Sequence, residues 1–220
     1  MTKNDTKSFS KSAEILLYKK CVEFNLKKKF KLTSGKTSPV YCDCRKLISF
    51  PKERNILIKL ALNKIKSLKN FDKINNIAGG ESAGIPYASL ISQKLNLPLS
   101  YVRKEKKKFG KTSQIEGIIN TKDNVLLVED LMTDGGSKIK FIDAINNIDA
   151  KVIAIFVIFN YGINQEFLES KGKKIKIISL ATWKDILDLM IKKKLRAKKE
   201  INELIKFLKS INVKNLRSFL

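Results

Sequence analysis

The sequence predicts an α/β fold in which a mostly parallel central sheet is flanked by helices. From Ile74 onward, short apolar runs of strand length alternate with segments whose apolar residues recur at helical spacing. Strands that alternate with helices are joined by right-handed crossovers, which leave the strands parallel in one sheet. With 220 residues, of which 43% are hydrophobic, the chain can bury one substantial core.

Each element is predicted from a local pattern. The predicted strands are 74–78, 99–103, 125–128, 151–159 and 175–179, and the predicted helices are 12–28, 51–69, 85–95, 137–147 and 182–192. Pro51 opens the second helix, because proline is favoured in the first turn. Residues 30–32 and 40–41 flank turn chemistry at 33–38 and are predicted to pair as a short hairpin.

A basic C-terminal segment, 191–220, is set apart from a single domain at 1–190. It carries an apolar stripe at helical spacing between many lysines: Ile201, Leu204, Ile205, Leu208 and Ile211. This pattern predicts a helical tail that packs on the core or on a partner subunit, or else lies on a membrane surface. No apolar run approaches the ~20 residues of a membrane span, so we expect a cytoplasmic protein without membrane attachment.

Composition removes several classes of chemistry. The chain has no histidine, which excludes Ser-His-Asp and Cys-His catalysis and histidine-ligated metals. Its three cysteines, Cys21, Cys42 and Cys44, are too few for a typical zinc site and are expected to be reduced thiols. The net charge of +24 invites a nucleic-acid interpretation, but only five of the 45 basic residues are arginine. Because base recognition favours arginine, we expect no specific nucleic-acid partner.

The run from Val125 to Ser137 is the most informative part of the sequence. Four apolar residues are followed by the adjacent acids Glu129 and Asp130, and then by a turn that ends in Gly-Gly-Ser before a helix. Backbone N–H groups at a helix start can cradle a phosphate, whereas ionised carboxylates accept hydrogen bonds from sugar hydroxyls. The run therefore predicts a ribose-phosphate site, with an ordinary βα turn as the alternative.

The segment 103–117 is the second functional candidate. Between Arg103 and Lys111 lie six cations and one anion, and apolar residues are almost absent. Such a loop is expected to stay mobile until a polyphosphate orders it. Neither Gly-Lys-Thr sequence, at 35–37 or at 110–112, has the upstream glycine of a Walker A loop, so nucleotide hydrolysis loses its usual support.

These motifs carry a resemblance to a known family. Residues 125–137 resemble the diphosphoribose-binding signature of the type I phosphoribosyltransferases. Three further segments, 33–41, 79–86 and 101–117, resemble the substrate segment, pyrophosphate loop and catalytic loop of the orotate phosphoribosyltransferases. The order and spacing of the four segments hold from about residue 15 to 190.

The resemblance implies a homodimer with shared active sites, a hood at 12–50 and a core at 70–190. It implies transfer of the 5-phosphoribosyl group from 5-phosphoribosyl 1-diphosphate to orotate in UMP synthesis, with Mg²⁺ carried by the diphosphate and not by protein side chains. The implied catalytic residues are Lys104, Lys107, Glu129 and Asp130. The residues implied to bind the donor are Arg103, Lys104, Lys107, Phe109, Glu129, Asp130, Leu131, Met132, Thr133, Asp134, Gly135, Gly136 and Ser137, and those for orotate are Thr133, Ser34 and Lys36.

The sequence departs from the family pattern at four places. Thr33 stands where many members carry lysine, and Ser82-Ala83 stand where many carry a Tyr-Lys pair. Phe109 stands where many members carry a loop histidine, and Asn160-Tyr161 stand where an orotate-binding arginine is usual. Arg45, Lys36 and the backbone N–H groups near Ser34 remain alternatives for holding the orotate carboxylate. The rival functions are transfer to another base, or a regulator that senses the phosphoribosyl donor and binds RNA through its lysines.

Overall fold

The computed structural model describes residues 3–31, 35, 37–105, 113–164 and 166–216. Its helices are α1 Lys3–Tyr18, α2 Pro51–Lys66, α3 Gly84–Leu95, α4 Gly136–Asn146, α5 Trp183–Lys192 and α6 Lys198–Ser210. Its strands are β1 Val22–Phe24, β2 Phe30–Lys31, β3 Thr37–Ser38, β4 Val40–Cys42, β5 Asn76–Gly80, β6 Leu99–Val102, β7 Ile115–Glu116, β8 Asn124–Met132, β9 Lys151–Asn160, β10 Phe167–Ser170 and β11 Lys173–Thr182. Two 3-10 turns lie at Cys44–Ser49 and Phe71–Lys73.

The central sheet has seven strands in the order β10-β11-β9-β8-β5-β6-β7. The five inner strands are parallel, and the two short edge strands, β10 and β7, are antiparallel to their neighbours. The prediction of a mostly parallel sheet is confirmed. The carboxyl ends of the inner strands share one edge of the sheet, where ligands bind in open α/β folds.

Helices cover both faces of this sheet. Leu126 and Val128 of β8 belong to a cluster of buried side chains shared with α1, α2, α3, α5 and α6, whereas Val125 and Leu127 belong to a second cluster with α4. Alternate residues of a strand point to opposite faces, so a continuous apolar run is buried on both sides. The strand at the centre of the predicted site is therefore held firmly from above and below.

The first helix differs from its prediction. It spans Lys3–Tyr18 instead of 12–28, and the chain turns at Lys20, whose φ is +53°. Residues after the turn form β1, which pairs antiparallel with β4. The helical spacing of Val22 with Ile15 and Tyr18 was misleading, because strand pairing with a distant segment determines the structure there.

The predicted hairpin is correct only in part. β2 pairs with β3, matching Phe30 with Ser38, but Val40 and Tyr41 pair with β1 instead. The two small sheets form the N-terminal portion near the sheet edge. The turn residues Thr33, Ser34 and Lys36 lie outside the described residues.

The central strands extend further than predicted. β5 ends at Gly80 and β8 ends at Met132. β8 is longer than predicted because it keeps its parallel pairing with β9 as far as Met132 and Asn160. The adjacent acids therefore lie within the last part of β8, not in the loop after it. The short antiparallel strands β7 and β10 were not predicted.

The apolar stripe of the C-terminal tail is buried against the main core. Ile201, Leu204, Ile205 and Leu208 of α6 are each at most 5% exposed and belong to the larger cluster. This arrangement matches the predicted packing on the core and leaves the stripe unavailable to a membrane surface. Within the described ranges, none of the helices combines the length and apolar character needed to cross a membrane.

Candidate active site

Glu129 is a buried carboxylate near the end of β8. It is 5% exposed, its Oε2 atom lies 2.7 Å from the ammonium of Lys138, and its Oε1 atom has no hydrogen-bond partner among the described residues. Burial raises the pKa of this carboxyl to about 7, although the charge of Lys138 opposes the shift. A carboxyl group that titrates near neutral pH at a strand end is a recognised mark of a functional site.

Asp130 differs from its neighbour because it is only half-buried. Burial raises its pKa, while the nearby cations Lys138 and Arg45 lower it. Arg45 follows β4 in the N-terminal portion, and its Nε donates to Asp43 Oδ1 at 2.7 Å. The acid at the end of the central strand and an arginine of the N-terminal portion thus lie within electrostatic reach of each other.

A glycine turn connects β8 to α4, at the place where the sequence predicts a phosphate cradle. Gly135 has a φ of +93°, which favours glycine, and its position against Leu168 leaves no room for a side chain. The Gly136 N–H donates to Asp134 Oδ1, and the Asn164 side chain donates to the Asp134 carbonyl oxygen at 2.5 Å. The shape of the turn is therefore fixed by a hydrogen bond within it and by one from the segment after β9.

The exposed side of this turn carries the groups that a phosphate needs. Thr133, Gly136 and Ser137 are exposed, and α4 begins at Gly136, so its N-terminal N–H groups face the same opening. Leu131 and Met132 were predicted to line the donor site, but their side chains pack into the core. Met132 is fully buried and can contribute backbone atoms only, whereas Leu131 is half-buried.

Lys138 is a site residue that the sequence interpretation missed. Its side chain is 7% exposed, contacts Glu129, and donates to the Ser137 hydroxyl at 3.2 Å. In a chain with 45 basic residues, one lysine after a glycine turn carries no distinguishing sequence signal. Its partner Glu129 lies nine positions earlier, so only the fold of β8 against α4 brings them together.

The end of β5 lies directly against Glu129. A β-carbon placed on Gly80 would lie 2.6 Å from Glu129 Oε1, and one placed on Gly84 would lie 2.8 Å from the same atom. The two glycines therefore provide the space that the Glu129 carboxylate occupies. Between them, Glu81 Oε2 accepts a hydrogen bond from the Lys104 backbone N–H at 2.8 Å.

The basic segment begins beside this loop, after β6. Arg103 is half-buried, its backbone N–H donates to the Gln114 carbonyl oxygen at 2.8 Å, and its guanidinium lies 3.8 Å from Glu116. Lys104 is exposed. Four predicted site residues lie outside the described residues: Lys107, Phe109, Ser34 and Lys36.

The two residues at the position of the usual orotate-binding arginine have structural contacts instead. Asn160 is 2% exposed, and its side-chain oxygen accepts the Gly162 N–H at 2.9 Å. The Tyr161 ring packs edge-on against Trp183, with 5.7 Å between ring centroids. Neither residue therefore replaces the missing arginine. Among the described residues, Arg45 is an arginine whose charge acts on Asp130.

Comparisons with known proteins identify the family of the chain. The family model for the phosphoribosyl transferase domain matches residues 50–190. The orotate phosphoribosyltransferase of Dinoroseobacter shibae is 46% identical over 177 residues, which are 80% of this chain and 78% of that protein.

Solved structures give the same result. The structure of orotate phosphoribosyltransferase from Aeropyrum pernix matches 84% of this chain and 99% of its own, with a TM-score of 0.65 and 27% identity. The UMP synthase of Leishmania donovani matches 91% of this chain with a TM-score of 0.74 and 26% identity, and this chain spans 42% of that longer one. With its site at the carboxyl edge of the matching sheet, the chain belongs to the orotate phosphoribosyltransferase family.

Proposed function

We propose that this protein transfers the 5-phosphoribosyl group from 5-phosphoribosyl 1-diphosphate to orotate, giving orotidine 5′-phosphate and diphosphate in de novo pyrimidine synthesis. The observation that carries the proposal is the juxtaposition of the acids Glu129 and Asp130 with the glycine turn at 133–137. Ribose hydroxyls suit the carboxylates, and a 5-phosphate suits the N–H groups of the turn. The family relationship supports orotate as the acceptor.

In this reaction the bond between ribose C1 and the diphosphate oxygen breaks, and a bond from C1 to a ring nitrogen of orotate forms, while that nitrogen gives up its proton to water or to the departing diphosphate. Positive charge develops on the ribose while negative charge leaves with the diphosphate. Carboxylates fixed beside the ribose favour the first change, and the cations Arg103, Lys104 and Lys107 favour the second. The reaction requires no histidine, which agrees with the composition of the chain.

Mg²⁺ is proposed as the cofactor, carried by the diphosphate oxygens of the donor. The protein atoms near the acid pair suit such a hard ion, because carboxylate oxygens are present and the nearby thiols are not ionised. Burial raises the pKa of Cys42, which is close enough to feel the charge of Asp130, to about 12. When bound, the ion would neutralise charge on the leaving diphosphate. No side chain of this chain is assigned to it.

Arg45 is proposed to hold the orotate carboxylate in place of the usual arginine. Its contact with Asp43 fixes one edge of the guanidinium, while the side chain remains 58% exposed and can offer its other donors. The Tyr41 hydroxyl lies 3.5 Å from the terminal nitrogen, and the Tyr41 ring stacks on Phe30 with 5.6 Å between centroids. An arginine beside an aromatic pair suits a flat, negatively charged base.

The basic segment is proposed to cover the donor and to act across a homodimer, with Lys104 reaching the partner's site. Three features support a cover: the exposure of Lys104, the adjacent Glu81 contact, and the sharing of an edge with the acid pair. A cytoplasmic location is also proposed, supported by the three free thiols, which are typical of a reducing compartment.

The proposal is tested by following the absorbance of orotate with the purified protein, 5-phosphoribosyl 1-diphosphate and Mg²⁺. We expect orotate to be consumed, and Asp130→Asn to abolish most of this consumption. Turnover with another base but not with orotate would favour the first rival function. Salt-sensitive RNA binding with no turnover on any base would favour the regulator and contradict the proposal.

A further inference from the structure

Lys138 is a buried cation in the first turn of α4, directly after the glycine turn. Its ammonium lies 2.7 Å from Glu129 Oε2 and 3.2 Å from the Ser137 hydroxyl. Both side chains of the Lys138–Glu129 pair are 7% exposed. One cation therefore contacts the acid of the ribose side and the hydroxyl of the phosphate side.

Two electrostatic costs oppose a lysine at this position. Burial removes the hydration of the ammonium, and the N-terminal end of a helix carries partial positive charge that repels a cation. A buried ion pair is weak grounds for stability, because well-packed apolar side chains of similar volume often stabilise as much. The charge of Lys138 therefore needs an explanation other than packing.

The surroundings of Glu129 supply that explanation. Burial favours the neutral carboxyl, its Oε1 atom has no partner among the described residues, and Gly80 and Gly84 border it without offering charge. The charged groups that act on Glu129 are Lys138, the adjacent Asp130, and more weakly Lys104. Asp130 opposes ionisation of Glu129, so Lys138 is the main group that favours it.

We propose that Lys138 is a positioning residue for phosphoribosyl transfer, which favours the ionised form of Glu129 and holds its carboxylate in one orientation beside the donor ribose. This inference rests on the proposed function. Through its bond to Ser137, the same ammonium also fixes the distance between the acid pair and the glycine turn. The acid pair then presents its charge where positive charge develops on the ribose.

A titration of Glu129 tests this role without reference to activity. The carboxyl carbons are labelled with ¹³C-glutamate, and the Glu129 signal is assigned by its loss in Glu129→Gln. The midpoint of the Glu129 titration should rise by about one pH unit or more in Lys138→Met. In Lys138→Arg it should stay within a few tenths of a pH unit of the wild-type value. Lys140→Met, an exposed lysine two positions along α4, is the matched control and should leave the midpoint unchanged. An unchanged midpoint in folded Lys138→Met would overturn the proposal.

Kinetics provide the second readout. For Lys138→Met, kcat/KM for the donor should fall by about tenfold at pH 7 and recover toward wild type at pH 9, because Glu129 ionises at the higher pH. Lys138→Arg should restore most of the activity at both pH values. An equal loss at every pH would mean that Lys138 acts without Glu129.

A double variant keeps the test open if Lys138→Met does not fold. Glu129→Gln/Lys138→Met removes both buried charges together and should have the same turnover as Glu129→Gln alone. A further loss that multiplies with the first would contradict the proposal. Absence of orotate turnover in the wild type would overturn the proposed function instead, while the ¹³C titration would still decide the link between Lys138 and Glu129.

Discussion

The two segments proposed to hold the donor are built in opposite ways. The segment from Glu129 to Lys138 ends a central strand and begins a helix, and its two charged ends form an ion pair that is 7% exposed on each side. The basic segment after β6 has Lys104 and Glu105 exposed, and its described contacts lie at its base. These include Arg103 N–H to the Gln114 carbonyl oxygen and Lys104 N–H to Glu81, both at 2.8 Å.

This difference indicates a division of labour. A preformed pocket gains affinity and orientation because its groups lose little freedom when the ligand arrives. An exposed basic segment pays for ordering only when a polyanion is present, and it then excludes water from the reacting centre. The segment from Glu129 to Lys138, called the rear segment below, should therefore govern ribose binding and charge development. The basic segment should govern departure of the diphosphate.

The largest expected effect is at the rear segment. Asp130→Asn keeps the size of the side chain but removes its charge, so turnover should fall by about 10²- to 10³-fold. The free energy of unfolding should change little, since the carboxylate is half-buried and forms no ion pair with the residues that the structure describes. Steady-state kinetics and urea unfolding measure the two effects. Unchanged turnover would remove Asp130 from the mechanism.

The basic segment is tested by mixing subunits. Lys104→Ala should lower kcat by about 10- to 10²-fold, because it removes one cation from the leaving diphosphate. If Lys104 serves the opposite site, dimers that combine a Lys104→Ala subunit with an Asp130→Asn subunit contain one intact site. Random mixing should then restore about a quarter of wild-type activity.

The control for this mixing is the remixing of two Asp130→Asn preparations, which should restore nothing. Hybrid dimers verified by mass spectrometry that remain inactive would show that each site is built from a single chain.

The packing of the rear segment is tested at Gly84. A β-carbon there would collide with the carbonyl oxygen of Val128 and lie 2.8 Å from Glu129 Oε1, so Gly84→Ala should lower the free energy of unfolding by about 1–3 kcal/mol. Gly136→Ala is the control, since its nearest atom is Asp134 Oδ1 at 3.7 Å and it should unfold like the wild type. Equal stability of the two variants would mean that the space beside Glu129 is not tight.

The acceptor side is tested at Arg45. Arg45→Ala should raise the KM for orotate by about tenfold with little change in the KM for the donor, because one charged hydrogen-bonding partner is lost. The ratio of kcat/KM for orotate to that for uracil, which lacks the carboxylate, should fall by the same factor. Lys52→Ala, an exposed cation on α2, is the control. If only the KM for the donor changed, Arg45 would contact the donor and not orotate.

The last prediction concerns pH. Burial raises the pKa of Glu129 from 4.5 to about 7, so the folded protein keeps this proton to higher pH than the unfolded chain. The contribution of this carboxyl to the free energy of unfolding should therefore fall as the pH rises from 4.5 to about 7, and should be constant above. The difference in stability between wild type and Glu129→Gln isolates this slope, which is at most about 1.4 kcal/mol per pH unit. If the stability of the wild type rises with pH relative to that of Glu129→Gln, the result would contradict the raised pKa.

The sequence predicted the layout of the sheet well because that layout follows local patterns. Continuous apolar runs predicted β6 and β9 closely, and Pro51 predicted the start of α2 through the preference of proline for the first turn. The predicted start of α5 at Thr182 is also correct, and the structure shows a capping box there. The same approach failed for Val22, because pairing between β1 and β4 depends on residues about twenty positions apart.

The sequence predicted the residue types of the candidate site but not its internal electrostatics. The acid pair and the glycine turn are visible as a motif, but the sequence treats Glu129 and Asp130 alike. Only the fold distinguishes a buried, ion-paired acid from a half-buried one that faces Arg45. Lys138 was missed for the same reason, since burial of one lysine among many is a tertiary property.

The most direct test of the central claim is a crystal structure with 5-phosphoribosyl 1-diphosphate or orotidine 5′-phosphate bound. The account predicts the 5-phosphate on the backbone N–H groups of residues 133–137 and the ribose hydroxyls within hydrogen-bond distance of the Asp130 or Glu129 carboxylates. A sugar phosphate bound elsewhere, with this edge of the sheet vacant, would contradict it.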